Sequence, residues 1–365
     1  MNESGCFFTI YLIDCAQHSI QCPGIRMNIR EVARKANVST ATVSRTINGS
    51  DKVSPETAER VRLAIADLNY YPNTNARALG SGRSRLFGLI ISDITNPFFP
   101  DLVKSFEDVA VTHGQDVIVA NTGYNSERTE LCVQRMLERK VDGVAIMTSE
   151  MDSHLIDRLN SRNIPIVFLD TGTVAKGVSN ILVDYAMGIG AVVEHLSSLG
   201  HERIAYISGP MILPSARIRR DAFLESAEKH GIELRPEWVQ EANHRPDGGR
   251  AAMEHILEST PYPTAVVASN DLTAIGAIVA IHQHGLRVPE DISVAGFDDI
   301  DLCSFLHPML TTVRLSRQEI AERAFYALYR EDPKEEQEGA EYRIQPRLVV
   351  RNSTMINPER DTNHH

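Results

Sequence analysis

The sequence is short of cysteine, of long apolar runs and of the signatures that mark catalytic or nucleotide-binding loops. Its five cysteines (Cys6, Cys15, Cys22, Cys132 and Cys303) are scattered over 365 residues, odd in number and without a C-x-x-C pair. That usage excludes a zinc cage or a disulfide framework and fits a reducing cytosol. No apolar run approaches the roughly 18 to 20 residues of a membrane helix, so no membrane partner is expected. There is no G-x-x-x-x-G-K-[ST], G-x-S-x-G or H-E-x-x-H. Gly188-Ile189-Gly190 lacks a third glycine, and Gly80-Ser81-Gly82 precedes an apolar run instead of following one. Neither cradles a dinucleotide. His282 and His284 are two apart, which on a helix points the rings away from each other. The expectation is a protein that is not an enzyme and holds no metal and no cofactor.

What is present is an uneven distribution of charge. The net charge is -11, yet residues 27–86 carry ten basic and five acidic side chains, a net +5, and residues 87–365 carry -15. A basic front on an acidic body is what phosphate binding by one part needs.

The chain reads as five blocks. Residues 1–26 contain an apolar stretch, Phe7 to Ile13, with no basic residues before it and Asp14 after it. This is a poor export signal, read as a disordered extension or as sequence before a true start at Met27. Residues 27–72 are helical in pattern, and 73–85 are a polar, basic hinge. Residues 86–355 alternate apolar strands with amphipathic helices, and 356–365 are a polar tail. Strands are expected near Leu86–Ile91, Asp116–Asn121, Val141–Met147, Pro165–Asp170, Ile181–Asp184, Arg203–Ser208, Thr264–Ser269, Ile292–Phe297, Thr311–Leu315 and Arg347–Arg351. Most are continuous Val/Ile/Leu runs, as in strands covered on both faces. The alternation predicts parallel, doubly wound sheets. Ten strands are too many for one, so two lobes are expected: about 86–183 plus 315–343, and about 184–314 plus 344–355.

In the front block Ile29, Val32, Ala33 and Ala36 share one helical face. Asn37-Val38 breaks the helix and Ser39 caps a second one from Thr40. There Val43 and Ile47 face inward, leaving Thr40, Ala41, Thr42, Ser44, Arg45 and Asn48 outside. A third helix starts at Ser54-Pro55 and buries Ala58, Val61, Ala64, Ile65 and Leu68. Two short helices joined by a tight turn form a helix-turn-helix. Short hydroxyls can bond phosphates without holding the helix off a groove, and Arg45 has the fork to read a guanine edge. The other reading is a helical hairpin with a solvated face, on which Glu and Lys are commoner than Thr-Ala-Thr-Val-Ser-Arg.

These residues carry a resemblance. The run Ile29 to Gly49, I-R-E-V-A-R-K-A-N-V-S-T-A-T-V-S-R-T-I-N-G, followed by V-S-P-E-T-A-E-R-V and L-N-Y-Y-P-N-T-N-A-R-A-L, resembles the lactose/galactose repressor (LacI/GalR) family. The likeness extends over residues 27–354. It implies a transcription regulator, most readily a repressor, acting as a homodimer on a pseudo-palindromic double-stranded operator. Thr40, Ala41 and Arg45 would then face bases, while Ser39, Thr42, Ser44 and Asn48 hold phosphates. Asn73, Ala76, Arg77 and Leu79 belong to a hinge that would enter the minor groove, with Leu79 as a wedge between base steps. Taken alone, Leu79 could equally pack against the body.

The resemblance also implies a type I periplasmic-binding-protein fold for the body, whose effector, a sugar or sugar derivative, sits between lobes at the carboxyl ends of strands. Candidates at such ends are Ser92, Phe98, Phe99, Asp170, Ser215, Arg219, Asn270, Asp271 and Asp298. Phe98 and Phe99 would flank the ligand, Arg219 would donate and Asp298 accept. For Phe99 a core position is an equal reading; Asp299 could cap a helix, and Arg217 could pair with an acid between lobes. Leu213-Pro214 departs from members that place polar contacts there, which detaches the reading from any particular effector. No leucine heptad follows Thr354, so the family's tetramerising extension is not expected. The rival reading is a sugar-binding solute receptor with no DNA function; the body suits it equally, the front block does not.

Overall fold

The computed structural model describes residues 28–47, 49–71, 83–148, 153–331 and 338–361. Asn48, Met27 and the hinge candidates Asn73, Ala76, Arg77 and Leu79 lie outside them. The chain divides into two compact units, 1–80 and 81–365.

The first unit is three helices: α1 (Ile29–Lys35), α2 (Thr40–Ile47) and α3 (Pro55–Asp67). Each begins at a polar cap. Asn28 Oδ1 accepts from the Arg30 and Glu31 amides, Ser39 Oγ from Thr42 N at 3.1 Å, and Ser54 Oγ from Thr57 N. Such caps satisfy amide groups that have no partner inside the helix. Asn37 takes the left-handed turn between α1 and α2 at φ 53°. Val32, Ala33, Ala36, Val43, Val61 and Ala64 form the buried core, bordered by Ile29, Val38, Ile47, Ile65, Leu68 and Tyr70. Ala58 is only half-buried and stands outside that core. Lys35 pairs with Asp67 at 3.0 Å, tying α1 to α3.

The second unit is two α/β lobes. In lobe 1, β1 (Leu86–Ile91), β2 (Asp116–Asn121), β3 (Gly143–Met147), β4 (Ile166–Leu169), β5 (Val178–Val183) and β11 (Glu341–Ile344) form one sheet in the order β11-β5-β4-β3-β1-β2. All its pairings are parallel. In lobe 2, β6 (Ile204–Ser208), β7 (Val239–Glu241), β8 (Ala265–Ala268), β9 (Ser293–Asp298), β10 (Thr311–Arg314) and β12 (Arg347–Val349) follow the order β12-β10-β9-β8-β6-β7. There only β10–β12 is antiparallel. The central strands are buried along almost their whole length because helices cover both faces. Those helices are α4 (Phe98–Thr112), α5 (Ser126–Arg139), α6 (Ser153–Asn160), α7 (Tyr185–Ser198), α8 (Pro214–Lys229), α9 (Pro246–Leu257), α10 (Asp271–Gln283) and α11 (Arg317–Leu328).

The chain changes lobe three times: after β5, after β10 and between β11 and β12. Two strands escape the apolar-run criterion. β11 reads E-Y-R-I and buries only Ile344, and β7 is three residues long with none buried. β5 begins at Val178, ahead of the expected Ile181, because Ser179 and Asn180 are buried polar residues with partners: Ser179 Oγ accepts from Ala340 N and Asn180 Oδ1 from Gly172 N. The expected polar tail is partly anchored, since Asn357 Nδ2 donates to Gly200 O and Arg203 pairs with Glu359 at 2.7 Å. Among the described residues no helix is long and apolar enough to cross a membrane.

Candidate functional site

On α2 the buried Val43 sets the orientation, and Thr40, Ala41, Ser44 and Arg45 are exposed. Thr42 is half-buried, and its hydroxyl shares a 2.9 Å hydrogen bond with Ser39 Oγ. Ser39 and Thr42 therefore stabilise the helix start while remaining beside the exposed face. A short helix presenting hydroxyls and one arginine suits a DNA groove.

In the body a cavity with about 90 Å3 of free space lies between the lobes at the carboxyl ends of the parallel strands. Ser92, Phe98, Phe99, Asp170, Ser215, Arg219, Asn270 and Asp298 all line it. Asp271 does not. Its carboxylate accepts from Thr312 Oγ1 at 2.5 Å and Ile300 N at 2.9 Å, which fixes the start of α10 against β9 and β10.

Arg219, on α8, is the most constrained group. Its guanidinium lies 4.6 Å from the ring centres of both Tyr185 and Phe297. Nη1 donates to Ser269 O at 2.6 Å and stands 3.9 Å from Asp298 Oδ1, while Nη2 reaches Tyr185 Oη at 3.4 Å. Nε is buried with no partner, as is the Oγ1 of Thr171, another lining residue. Buried polar atoms without partners are rare, and here they belong to walls of a cavity.

Asp170 follows β4. Its Oδ1 accepts from Val183 N at 2.9 Å and Oδ2 from the Tyr185 hydroxyl at 2.5 Å. Burial pushes the Asp170 carboxyl above the usual range; the Tyr185 and Val183 hydrogen bonds work against that rise. Burial, then the Asp170 charge, push Tyr185 up as well, so its phenol keeps its proton and donates. Burial likewise raises Asp298, which Arg219 and Arg317 hold back, and it raises Asp271, where the Asp298 charge adds to the effect. Asp170, His244 and Asp298 line the cavity at φ 67°, 61° and 112°. Three non-glycine residues in this sparsely populated region is strain concentrated at one site.

The sequence pattern does not mark His244 or Tyr185, which also line the cavity. Tyr185 directly follows Asp184, where β5 gives way to α7, and a strand-end criterion could have found it. His244 sits between the short β7 and α9 and carried no pattern. Its ring lies against Gly209, where a Cβ would come within 2.0 Å of it. Nδ1 is 3.3 Å from Ser269 Oγ. Burial, then the Arg219 charge, lower its pKa to about 3, so it is neutral at physiological pH.

The neighbouring charges hold the frame. Arg317 Nη1 donates to the carbonyls of Asp298 and Asp299 at 3.0 Å each. Asp299 caps no helix; its carboxylate takes Arg314 and Arg351, both at 2.6 Å. Arg217 bonds the carbonyls of Met211 and Ile212, not an acid. Arg245 of lobe 2 reaches Asp93 of lobe 1 at 2.8 Å, an ion pair across the mouth of the cleft. Among the described residues no cluster of three or more His, Cys, Asp or Glu could hold a metal.

Residues 28–73 match the bacterial regulatory proteins of the lacI family, and residues 193–354 match the periplasmic binding protein-like domain. The HTH-type transcriptional repressor PurR of Pasteurella multocida (strain Pm70) is 34% identical over 327 residues, covering 89% of this chain and 98% of that protein. PurR of Erwinia tasmaniensis is also 34% identical, covering 91% and 98%. Among solved structures, the Lac repressor dimer bound to operator and the anti-inducer ONPF superposes with a TM-score of 0.80 at 29% identity, covering 90% of this chain and 99% of that one. The complex of the regulator CelR with cellobiose gives 0.66 at 28%, with coverage of 90% and 99%. Fold and site together define a DNA-binding transcription repressor with a small-molecule effector domain. A receptor without a DNA function would not carry the first of these matches. The chain belongs to the lacI family of bacterial regulatory proteins.

Proposed function

We propose that this chain acts in the cytoplasm as a homodimeric, non-catalytic repressor on a pseudo-palindromic operator, and that its effector is a small neutral sugar. Thr40, Ala41 and Arg45 read base edges; Ser39, Thr42, Ser44 and Asn48 hold phosphates. Asn73, Ala76, Arg77 and Leu79 supply the minor-groove contacts. The observation that carries the effector reading is the chemistry of the cleft. Two acceptor carboxylates, Asp170 and Asp298, stand against one cation, Arg219, with a neutral His244 and an apolar wall of Phe98 and Phe99. Hydroxyls satisfy that mixture, whereas an anion would meet two buried carboxylates without a second cation. Likeness to regulators solved with cellobiose and with ribose supports the same class. The effector shifts the balance between two relative lobe positions by its difference in affinity for them.

Two measurements test this. Selection from random duplex DNA should recover a two-fold symmetric site with half-sites about one helical turn apart; weak, sequence-independent binding would overturn the operator reading. Thermal denaturation against a panel of monosaccharides, sugar phosphates and purine bases should show stabilisation by a neutral sugar. Stabilisation by a phosphate or a base, with none by neutral sugars, would overturn the effector reading and leave the DNA reading standing.

A further inference from the structure

A second cavity, with about 340 Å3 of free space, lies at the other end of lobe 1, where β1, β3 and β4 begin. Its floor is apolar: Phe87, Leu137, Ile164 and Leu328. Among the described residues its polar lining includes four cations, Arg83, Lys140, Arg162 and Arg330, and one acid, Asp142. This runs against the body as a whole, which carries -15 over residues 87–365.

One carboxylate leaves Lys140 and Arg162 without a direct partner, because its oxygens are taken up elsewhere. Asp142 Oδ1 accepts from Ser84 N at 3.0 Å and Ser84 Oγ at 2.9 Å, and Oδ2 from Arg85 N at 2.8 Å. It clamps the backbone entering β1. Arg83 is positioned by its Nη2 donating to Arg330 O at 2.7 Å. Lys140 ends α5 in the left-handed conformation at φ 54°, and Arg162 follows α6. Both are exposed, and among the described residues neither side chain has an ion-pair or hydrogen-bond partner.

A solvated basic rim needs no cavity, and an apolar cavity needs no cations. The two together suit one kind of occupant. We propose that this cavity binds a small organic anion, a phosphate or carboxylate on an aromatic or aliphatic body, with the charge between Lys140 and Arg162 and the body on Phe87, Ile164 and Leu328. Charge-assisted hydrogen bonds supply selectivity for the anion and apolar burial supplies the remainder of the affinity. The site is separate from the cleft and does not depend on the sugar reading.

The test is calorimetric titration of the full-length chain at low ionic strength with phenyl phosphate as probe. One phenyl phosphate should bind per chain. Inorganic phosphate should bind about tenfold more weakly, because it leaves the floor uncovered. The K140A/R162A variant should bind phenyl phosphate at least about tenfold more weakly with an unchanged melting temperature. Should that variant fold poorly, K140Q/R162Q reads the same loss. No binding of phenyl phosphate, equal binding of inorganic phosphate, or full binding retained by the variants would each overturn the proposal.

Discussion

Arg219 shows how much one side chain can hold. Its guanidinium bonds a backbone carbonyl, faces Asp298 and lies over two aromatic rings, with 9% of the residue exposed. Arg219→Met keeps the volume and leaves Ser269 O and the Asp298 carboxylate unpaired. That should cost about 3–5 kcal/mol of stability, read by urea unfolding; a loss below about 1 kcal/mol would show that Asp298 is satisfied some other way. Lysine should not rescue it, having no planar fork. His244 makes the opposite kind of prediction. Its pKa falls from 6.5 to about 3 on folding. Between those values the unfolded chain binds a proton that the folded chain does not, so this contribution is complete above 6.5 and is lost as pH falls toward 3. His244→Gln should flatten stability against pH in that window; an unchanged slope would mean that the ring is solvated. On the DNA side, Arg45→Ala should weaken operator binding by about 1–3 kcal/mol and relax one base preference. Equal loss on random DNA would remove its base-reading role. At this scale the sequence marks residues by strand ends, which is why Asp298 and Asp170 were found. It does not say which of two neighbouring carboxylates turns outward, so it marks Asp271 as well, which faces Thr312 and Ile300. His244 was missed because the strand before it left no pattern.

At the scale of elements, legibility followed apolar content: β2 and β12 hold no fully buried residue, yet Val117-Ile118-Val119 and Leu348-Val349 make them readable. β1, β3, β6 and β8 are buried along almost their whole length and read as unbroken apolar runs. β11 and β7 lie at sheet edges, where one side of the strand meets solvent and polar residues carry no penalty, so E-Y-R-I and V-Q-E look like loop. The helix-turn-helix was legible for a different reason: caps and turn residues, Ser39, Asn37, Ser54 and Pro55, fix its boundaries as firmly as its apolar face does. Its weakness is size. Among the described residues six buried side chains make up the core, and small cores have little stability in reserve. Val43 is the one buried residue of α2. Val43→Ala should destabilise the three-helix unit by about 2 kcal/mol through the lost transfer and cavity terms. Operator binding should fall while the melting of the body, followed through Trp238, stays constant. A drop in both transitions would show that the two units unfold together.

For the body as a whole, the decisive quantity is the balance between relative positions of its two lobes. The three crossovers form one side of the joint, and there Arg317 of lobe 1 reaches the Asp298 and Asp299 carbonyls of lobe 2, while Asp299 holds Arg314 and Arg351 within lobe 2. On the other side the Asp93–Arg245 pair spans the mouth of the cleft. The two halves of this pair are unequal: the Asp93 side chain is 8% exposed and Arg245 is 53% exposed. Asp93 is buried, which opposes ionisation, but Thr95 and then Arg245 overcome that and hold its carboxyl below its ordinary 3.8. The contribution of the pair is therefore complete above 3.8 and is lost as pH falls below it. Because Arg245 is half in water, its attraction is screened and stabilises this arrangement of the lobes by about 1 kcal/mol. Arg245→Ala should accordingly lower effector affinity about fivefold, enlarge the radius of gyration of the free protein in small-angle scattering, and leave the urea midpoint nearly unchanged. Acidification below 3.8 should narrow the scattering difference between wild type and variant, because Asp93 then loses its charge in both. If affinity and scattering both match the wild type, closure is set at the crossovers alone, and the search for what couples the cleft to the headpiece moves to Arg317 and its two carbonyl partners.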